Sequence, residues 1–102
     1  MIAAVDAHRP GIAALCRRFH VQRMEVFGSA ARGTDFDPAR SDVDLLVTYL
    51  PGHPATLAAH LNLRDALASL LGRPVDLVMA GTVANPFIRA EIERSRQQLY
   101  AA

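Results

Sequence analysis

The spacing of apolar residues predicts three helices along the chain. Residues 7–19 and 55–71 carry apolar side chains every three or four positions, which is the period of a helix. In the second segment leucines cover about half of the helix circumference, a wide stripe for a chain of 102 residues. A third helix begins at Asn85, a good N-cap, followed by Pro86 at the first helical position. Its apolar face is expected to continue as far as Leu99.

Three shorter runs predict strands between these helices. Residues 21–27, 42–50 and 75–79 are rich in valine and leucine, and glycine or proline closes each run or leads into it. The predicted order is therefore α, β, β, α, β, α. This order indicates one α/β domain over residues 1–102, with a mixed sheet of about three or four strands flanked by helices.

Composition and charge narrow the functional classes. The net charge is +1 and no basic block occurs, so direct binding to nucleic acid is not expected. The single cysteine, Cys16, allows no internal disulfide, which fits a reducing compartment. No apolar run approaches the ~20 residues of a membrane span. We expect a cytoplasmic protein without a membrane anchor.

Two aspartates on the second predicted strand are the first candidates for chemistry. Asp42 and Asp44 are two residues apart, so their side chains point to the same face of the strand. Like charges at this distance are unfavourable unless a cation lies between them. Mg²⁺ accepts one or two carboxylates and completes its coordination with phosphate and water. Taken alone, the pair could equally be two solvated charges at the start of a strand.

Two further segments strengthen the case for a metal-dependent site. Gly28 and Ser29 end the first strand in a turn that could hold phosphate through backbone N–H groups, and Arg32 could add a bidentate contact. Asp76, within the third strand, needs either water or a cation as a partner. Together these residues predict a two-metal site for phosphoryl or nucleotidyl transfer. Asp76 would be the general base or a ligand of the second metal.

These motifs resemble those of a known family. The strings FGSAARG, SDVDLLV and PVDLVM are similar to the signature of the polymerase-β-type nucleotidyltransferases, and in particular to its smallest branch, the minimal nucleotidyltransferases. The C-terminal segment NPFIRAEIERSRQQLYAA is similar to the end of that branch as well. Twelve residues separate Ser29 from Asp42, about two more than is usual in the family, and the extra length lies in the loop of residues 34–40.

The resemblance implies a fold, a reaction and a partner. It implies that Gly28 and Ser29 contact the triphosphate, that Asp42 and Asp44 bind Mg²⁺, and that Asp76 is the third catalytic carboxylate. It also implies transfer of AMP from ATP to a hydroxyl, typically a tyrosine of a partner HEPN-domain toxin, for which the protein is the antitoxin.

Two other functions are compatible with parts of the sequence. A non-catalytic binding module could neutralise a partner by covering it with the leucine-rich helix 55–71, which could also support a homo-oligomer or a hetero-complex. A sugar-nucleotide glycosyltransferase could use the paired aspartates, but such enzymes are normally much longer, and that activity leaves the Gly28-Ser29 turn unexplained. Asp35 and Asp37 are interpreted as solvated loop residues.

Overall fold

A four-stranded mixed sheet forms the centre of the molecule. The computed structural model describes residues 1–102, and its strand order is β3-β2-β1-β4. β1 pairs antiparallel with both β2 and β4, whereas β2 and β3 are parallel. The strands are β1 (Val21–Phe27), β2 (Val43–Tyr49), β3 (Val75–Met79) and β4 (Gln97–Ala101). The predicted α/β class and the three predicted strands are confirmed.

Five helices connect or flank these strands. They are α1 (Ala3–Asp6), α2 (Arg9–Arg18), α3 (Ser29–Arg32), α4 (Leu57–Leu71) and α5 (Pro86–Ser95). Helices α2, α4 and α5 are the three that the sequence predicts, and α1 is a short additional turn before α2. No helix is long and apolar enough to cross a membrane.

The end of the predicted third helix is wrong. Helix α5 stops at Ser95 because Arg96 adopts an extended conformation, with φ −58° and ψ 133°. The following residues pair with β1 as strand β4. Leu99, expected on the same face as Ile92, packs in a different apolar cluster from Ile92. The apparent helical spacing of these two residues is therefore a coincidence of sequence.

The two faces of the sheet are covered unequally. The larger apolar cluster joins α2 and α4 to one face and contains fully buried side chains such as Ile12, Leu45 and Leu63. The opposite face carries a smaller cluster of Phe27, Leu46 and Ile92, in which α5 is the only helix. Because one helix covers only part of this second face, the rest of it is open. The open part contains the aspartates that the sequence predicts to be catalytic.

Most of the leucine stripe on α4 belongs to the core. Leu63, Leu67 and Leu71 are buried, and Leu70 lies against Gly11 of α2. Leu57 is the large apolar residue of this helix that stays mainly exposed. The width of the stripe thus reflects contacts with both α2 and the sheet. A partner surface on this helix remains a prediction that depends on a few residues at its N-terminal end.

Candidate active site

Strand register brings two of the three predicted carboxylates side by side. Asp44 on β2 is directly opposite Asp76 on the parallel strand β3, and opposite Phe27 on β1. Residues opposite each other in neighbouring strands project from the same face of a sheet. Asp42 precedes β2 by one residue and is exposed, as is Asp76, while Asp44 is partly buried. The strand register therefore places Asp44 and Asp76 side by side on the open face of the sheet, with Asp42 two residues before Asp44.

The charges of Asp76 and Asp42 act on the partly buried Asp44. Burial, with smaller contributions from the negative charges of Asp76 and Asp42, raises the pKa of Asp44 from 3.8 to about 6. The guanidinium of Arg32 opposes this effect. A divalent cation would relieve the same repulsion and favour the charged form of Asp44.

The donor set fits an open magnesium site. No three histidine, cysteine, aspartate or glutamate side chains are arranged closely enough to hold a metal ion by themselves. Mg²⁺ does not require such a cage, since it usually takes one or two carboxylates together with substrate phosphates and water. Asp44 and Asp76, which are side by side in the sheet, could supply these carboxylates, with Asp42 two residues before Asp44.

Gly28 approaches Asp44 more closely than any other residue type could. Its backbone lies at φ 71° and ψ −152°, a region open essentially to glycine alone. A Cβ atom at this position would be 2.6 Å from Oδ2 of Asp44. The glycine therefore allows the turn after β1 to lie directly against the central carboxylate of the site.

A residue at the C-terminal end of α5 accepts a hydrogen bond from this turn, a contact that the sequence did not predict. The Gly28 N–H donates to Oγ of Ser95 at 2.8 Å, and the Ser95 hydroxyl donates to the Glu91 carbonyl at 2.6 Å. Ser95 is buried and polar, but it has no sequence signal of its own. Its partner is 67 positions away in the chain, so only the fold could reveal the contact.

Arg32, predicted as a phosphate contact, is paired with two carboxylates. Its guanidinium forms a 2.7 Å ion pair with Asp35 and a second ion pair with Glu91. The hydrogen bond to Asp35 raises the pKa of Arg32 and lowers that of Asp35. Asp35, interpreted from sequence as a solvated loop residue, thus holds Arg32 near the site. Ser29 begins α3 beside this cluster and is partly buried.

A cleft with a volume of about 500 Å³ opens over the paired aspartates. Asp44 and Asp76 line it from the sheet, and residues 82–85 with the start of α5 line it from the segment that follows β3. Asn85 caps that helix, as predicted, by accepting a 2.9 Å hydrogen bond from the Phe87 N–H. The cleft is therefore lined by two carboxylates of the sheet and by the capped N-terminal end of α5.

A domain of this fold, with a glycine-serine turn beside paired aspartates, has the arrangement of a nucleotidyltransferase. Comparison with known proteins agrees. Residues 11–99 match the nucleotidyltransferase domain family, so the chain belongs to that family.

The chain is also similar to curated proteins and to solved structures. Two curated relatives from Methanocaldococcus jannaschii, MJ0128 and MJ1217, are named provisionally as protein adenylyltransferases. They are 35% and 33% identical over 78% of this chain and 76% of their own. A structure described provisionally as a minimal nucleotidyltransferase is 39% identical, with a TM-score of 0.71, and covers 91% of this chain and 90% of its own. A toxin–antitoxin complex with AMP-PNP is 27% identical, with the same TM-score, over 92% and 73%.

Proposed function

We propose that this protein transfers AMP from ATP to a tyrosine hydroxyl of a HEPN-domain toxin, and thereby acts as its antitoxin in the cytoplasm. The observation that carries the proposal is the register of Asp44 with Asp76 beside the Gly28 turn. The names of the curated relatives and the AMP-PNP-bound toxin–antitoxin neighbour support the choice of reaction and partner.

Each site residue has a role in this reaction. Gly28 and Ser29 contact the β- and γ-phosphates at the turn after β1. Asp42, Asp44 and Asp76 would hold Mg²⁺, which would supply charge neutralisation for the phosphates during transfer. Asp76 also orients the acceptor hydroxyl and accepts its proton. The oxygen–phosphorus bond to the acceptor forms as the bond between the α- and β-phosphates breaks, and pyrophosphate leaves.

Arg32 takes part only if its carboxylate partners change. Asp35 and Glu91 occupy its guanidinium, and a triphosphate is a stronger bidentate acceptor for the same group. In the proposed reaction Arg32 exchanges one of these carboxylates for a phosphate oxygen.

The proposal predicts that one carboxylate substitution abolishes transfer. The purified protein would be incubated with ATP labelled at the α-phosphate, Mg²⁺ and the small protein encoded beside it. Asp44→Asn should reduce labelling of that protein by at least about a hundredfold, because it removes a charge that orients the metal and the phosphates. Asp65→Asn is the matched control, since Asp65 is an exposed aspartate of α4 outside the cleft.

The same experiment separates the proposal from the binding-module alternative. Full labelling with Asp44→Asn would contradict the assignment of Asp44 as a metal ligand. No labelling with the wild-type protein, together with a stable complex with the neighbour, would favour neutralisation by binding alone. In that case Leu57 and the exposed N-terminal part of α4 would be the first surface to test.

A further inference from the structure

Residues 82–85 and the start of α5 give the cleft an apolar, exposed wall. Phe87 is 83% exposed and Ile88 is 44% exposed, and both line the cleft with Val83, while Phe27 and Val78 line it from the sheet. Single exposed apolar residues are common on protein surfaces, but a contiguous apolar wall inside a cleft indicates a ligand contact. This wall takes no part in the roles assigned above.

The lining of the cleft thus divides into charged groups and apolar groups. Asp44 and Asp76 are charged groups, beside which the metal and the phosphates would lie. A nucleoside triphosphate has the same division, with anionic phosphates at one end and a flat base with two apolar faces at the other. A triphosphate bound beside the Gly28 turn and the aspartates would leave its base to contact the apolar wall.

Two polar side chains of this wall each have one hydrogen bond within the protein. Oδ1 of Asn85 accepts from the Phe87 N–H, and the Thr82 hydroxyl donates to the Met79 carbonyl at 2.7 Å. The side-chain amide N–H groups of Asn85 are left to contact the edge of a base. Stacking on an aromatic ring tolerates every base and strengthens with the area of overlap, so the wall should favour purines over pyrimidines without strict selection.

We propose that Phe87 is the platform on which the nucleobase of the donor nucleotide stacks, with Ile88 and Val83 completing an apolar subsite. This inference rests on the proposed function, because it takes the triphosphate site at Gly28 and Asp44 as given. It adds Phe87 as a residue that contacts the base, so that the site binds a nucleotide more tightly than an inorganic polyphosphate.

Binding of two probes separates stacking from phosphate recognition. Isothermal titration calorimetry with Mg²⁺ would compare α,β-methylene-ATP, which cannot transfer AMP, with inorganic tripolyphosphate. Phe87→Ala should weaken binding of the nucleotide by about 5- to 150-fold, the range expected for loss of one base–aromatic stack. Binding of tripolyphosphate should not change. Phe87→Trp should restore nucleotide binding, and the wild-type protein should prefer the ATP analogue to the UTP analogue.

Leu57→Ala is the matched control, because Leu57 is 74% exposed and does not line the cleft. It should bind both probes as the wild type does. Unchanged nucleotide binding by Phe87→Ala would overturn the inference, and so would an equal loss for both probes. If this variant bound nucleotide normally but no longer bound the neighbouring protein, Phe87 would be a partner contact and the inference would again be wrong. Wild-type protein that bound neither probe would overturn the proposed function itself.

Discussion

At the scale of single residues, the contact between Gly28 and Asp44 determines the shape of the site. The absent side chain of Gly28 gives the Asp44 carboxylate its space, and its positive φ turns the chain toward α3. Other glycines with positive φ have no such neighbour; around Gly52, for instance, an added Cβ would meet nothing within 4 Å. Substitutions at Gly28 and Gly52 can therefore be compared to find the effect of the contact with Asp44, beyond the cost of placing a Cβ at positive φ.

We expect Gly28→Ala to destabilise the protein more than Gly52→Ala does. Both changes place a Cβ in a positive-φ conformation, which costs about 1–3 kcal/mol. Only the first also forces Asp44 to move, so it should also weaken magnesium-dependent nucleotide binding. Urea denaturation and calorimetry would measure the two effects. Equal losses of stability, with nucleotide binding intact in both variants, would show that the contact with Asp44 has no consequence.

At the scale of elements, α5 connects parts of the site that lie far apart in sequence. Its N-terminal end forms the apolar wall of the cleft, Glu91 pairs with Arg32, and Ser95 holds the Gly28 N–H. One short helix therefore positions the turn, the basic residue and the wall together. A small shift of α5 would move all three relative to Asp44 and Asp76.

Ser95→Ala should weaken ATP use with little effect on the fold as a whole. The substitution leaves the buried Gly28 N–H without an acceptor, which costs about 1–3 kcal/mol, and frees the turn to move. We expect a higher KM for ATP with a smaller change in kcat, measured by label transfer to the partner. Ser95→Thr keeps the hydroxyl and should recover part of the loss. Ser69→Ala, at an exposed position of α4, should match the wild type.

At the scale of the whole molecule, a group of ion pairs connects Glu25 of β1 with Arg96, the residue between α5 and β4. Glu25 is almost fully buried and accepts two hydrogen bonds from Arg96, at 2.7 and 2.8 Å. Arg23 adds an ion pair at 3.2 Å. The hydrogen bonds from Arg96 lower the pKa of Glu25 below its usual 4.5, against the opposing effect of burial. Breaking this cluster would leave a buried carboxylate with one partly exposed partner.

Arg96→Ala should lower the free energy of unfolding near neutral pH by about 2 kcal/mol, less than for a fully buried pair because Arg23 remains. Since the pKa of Glu25 is lower in the folded state, its stabilising contribution is complete above pH 4.5 and is lost as the pH falls below that value. The difference between variant and wild type should therefore shrink in acid. Urea denaturation from pH 3.5 to 7 would measure it, with Arg64→Ala, which removes an exposed pair with Asp65, as the control. A difference that did not depend on pH would contradict this account.

Helices, strands and motifs that depend on residues close together in the chain could be predicted from the sequence. Helical and strand periods predicted β1, β2, β3 and most of α2 and α4, and the cap at Asn85 placed the start of α5, because these signals act over a few residues. The glycine-serine turn and the aspartates were also recognisable, since their chemistry requires particular residue types at a short spacing.

Features that depend on contacts between residues distant in sequence could be seen only in the folded protein. Strand β4 forms because β1 offers an unpaired edge, a preference that overrides the helical spacing of Leu99 with Ile92. Ser95 and Glu91 acquire their roles through partners dozens of residues away, and the pairing of Arg32 depends on both a nearby loop and α5. Phe87 and Asp76 line the same cleft because the sheet and the start of α5 border it together. Such contacts depend on the packing of the whole chain, and no local pattern encodes them.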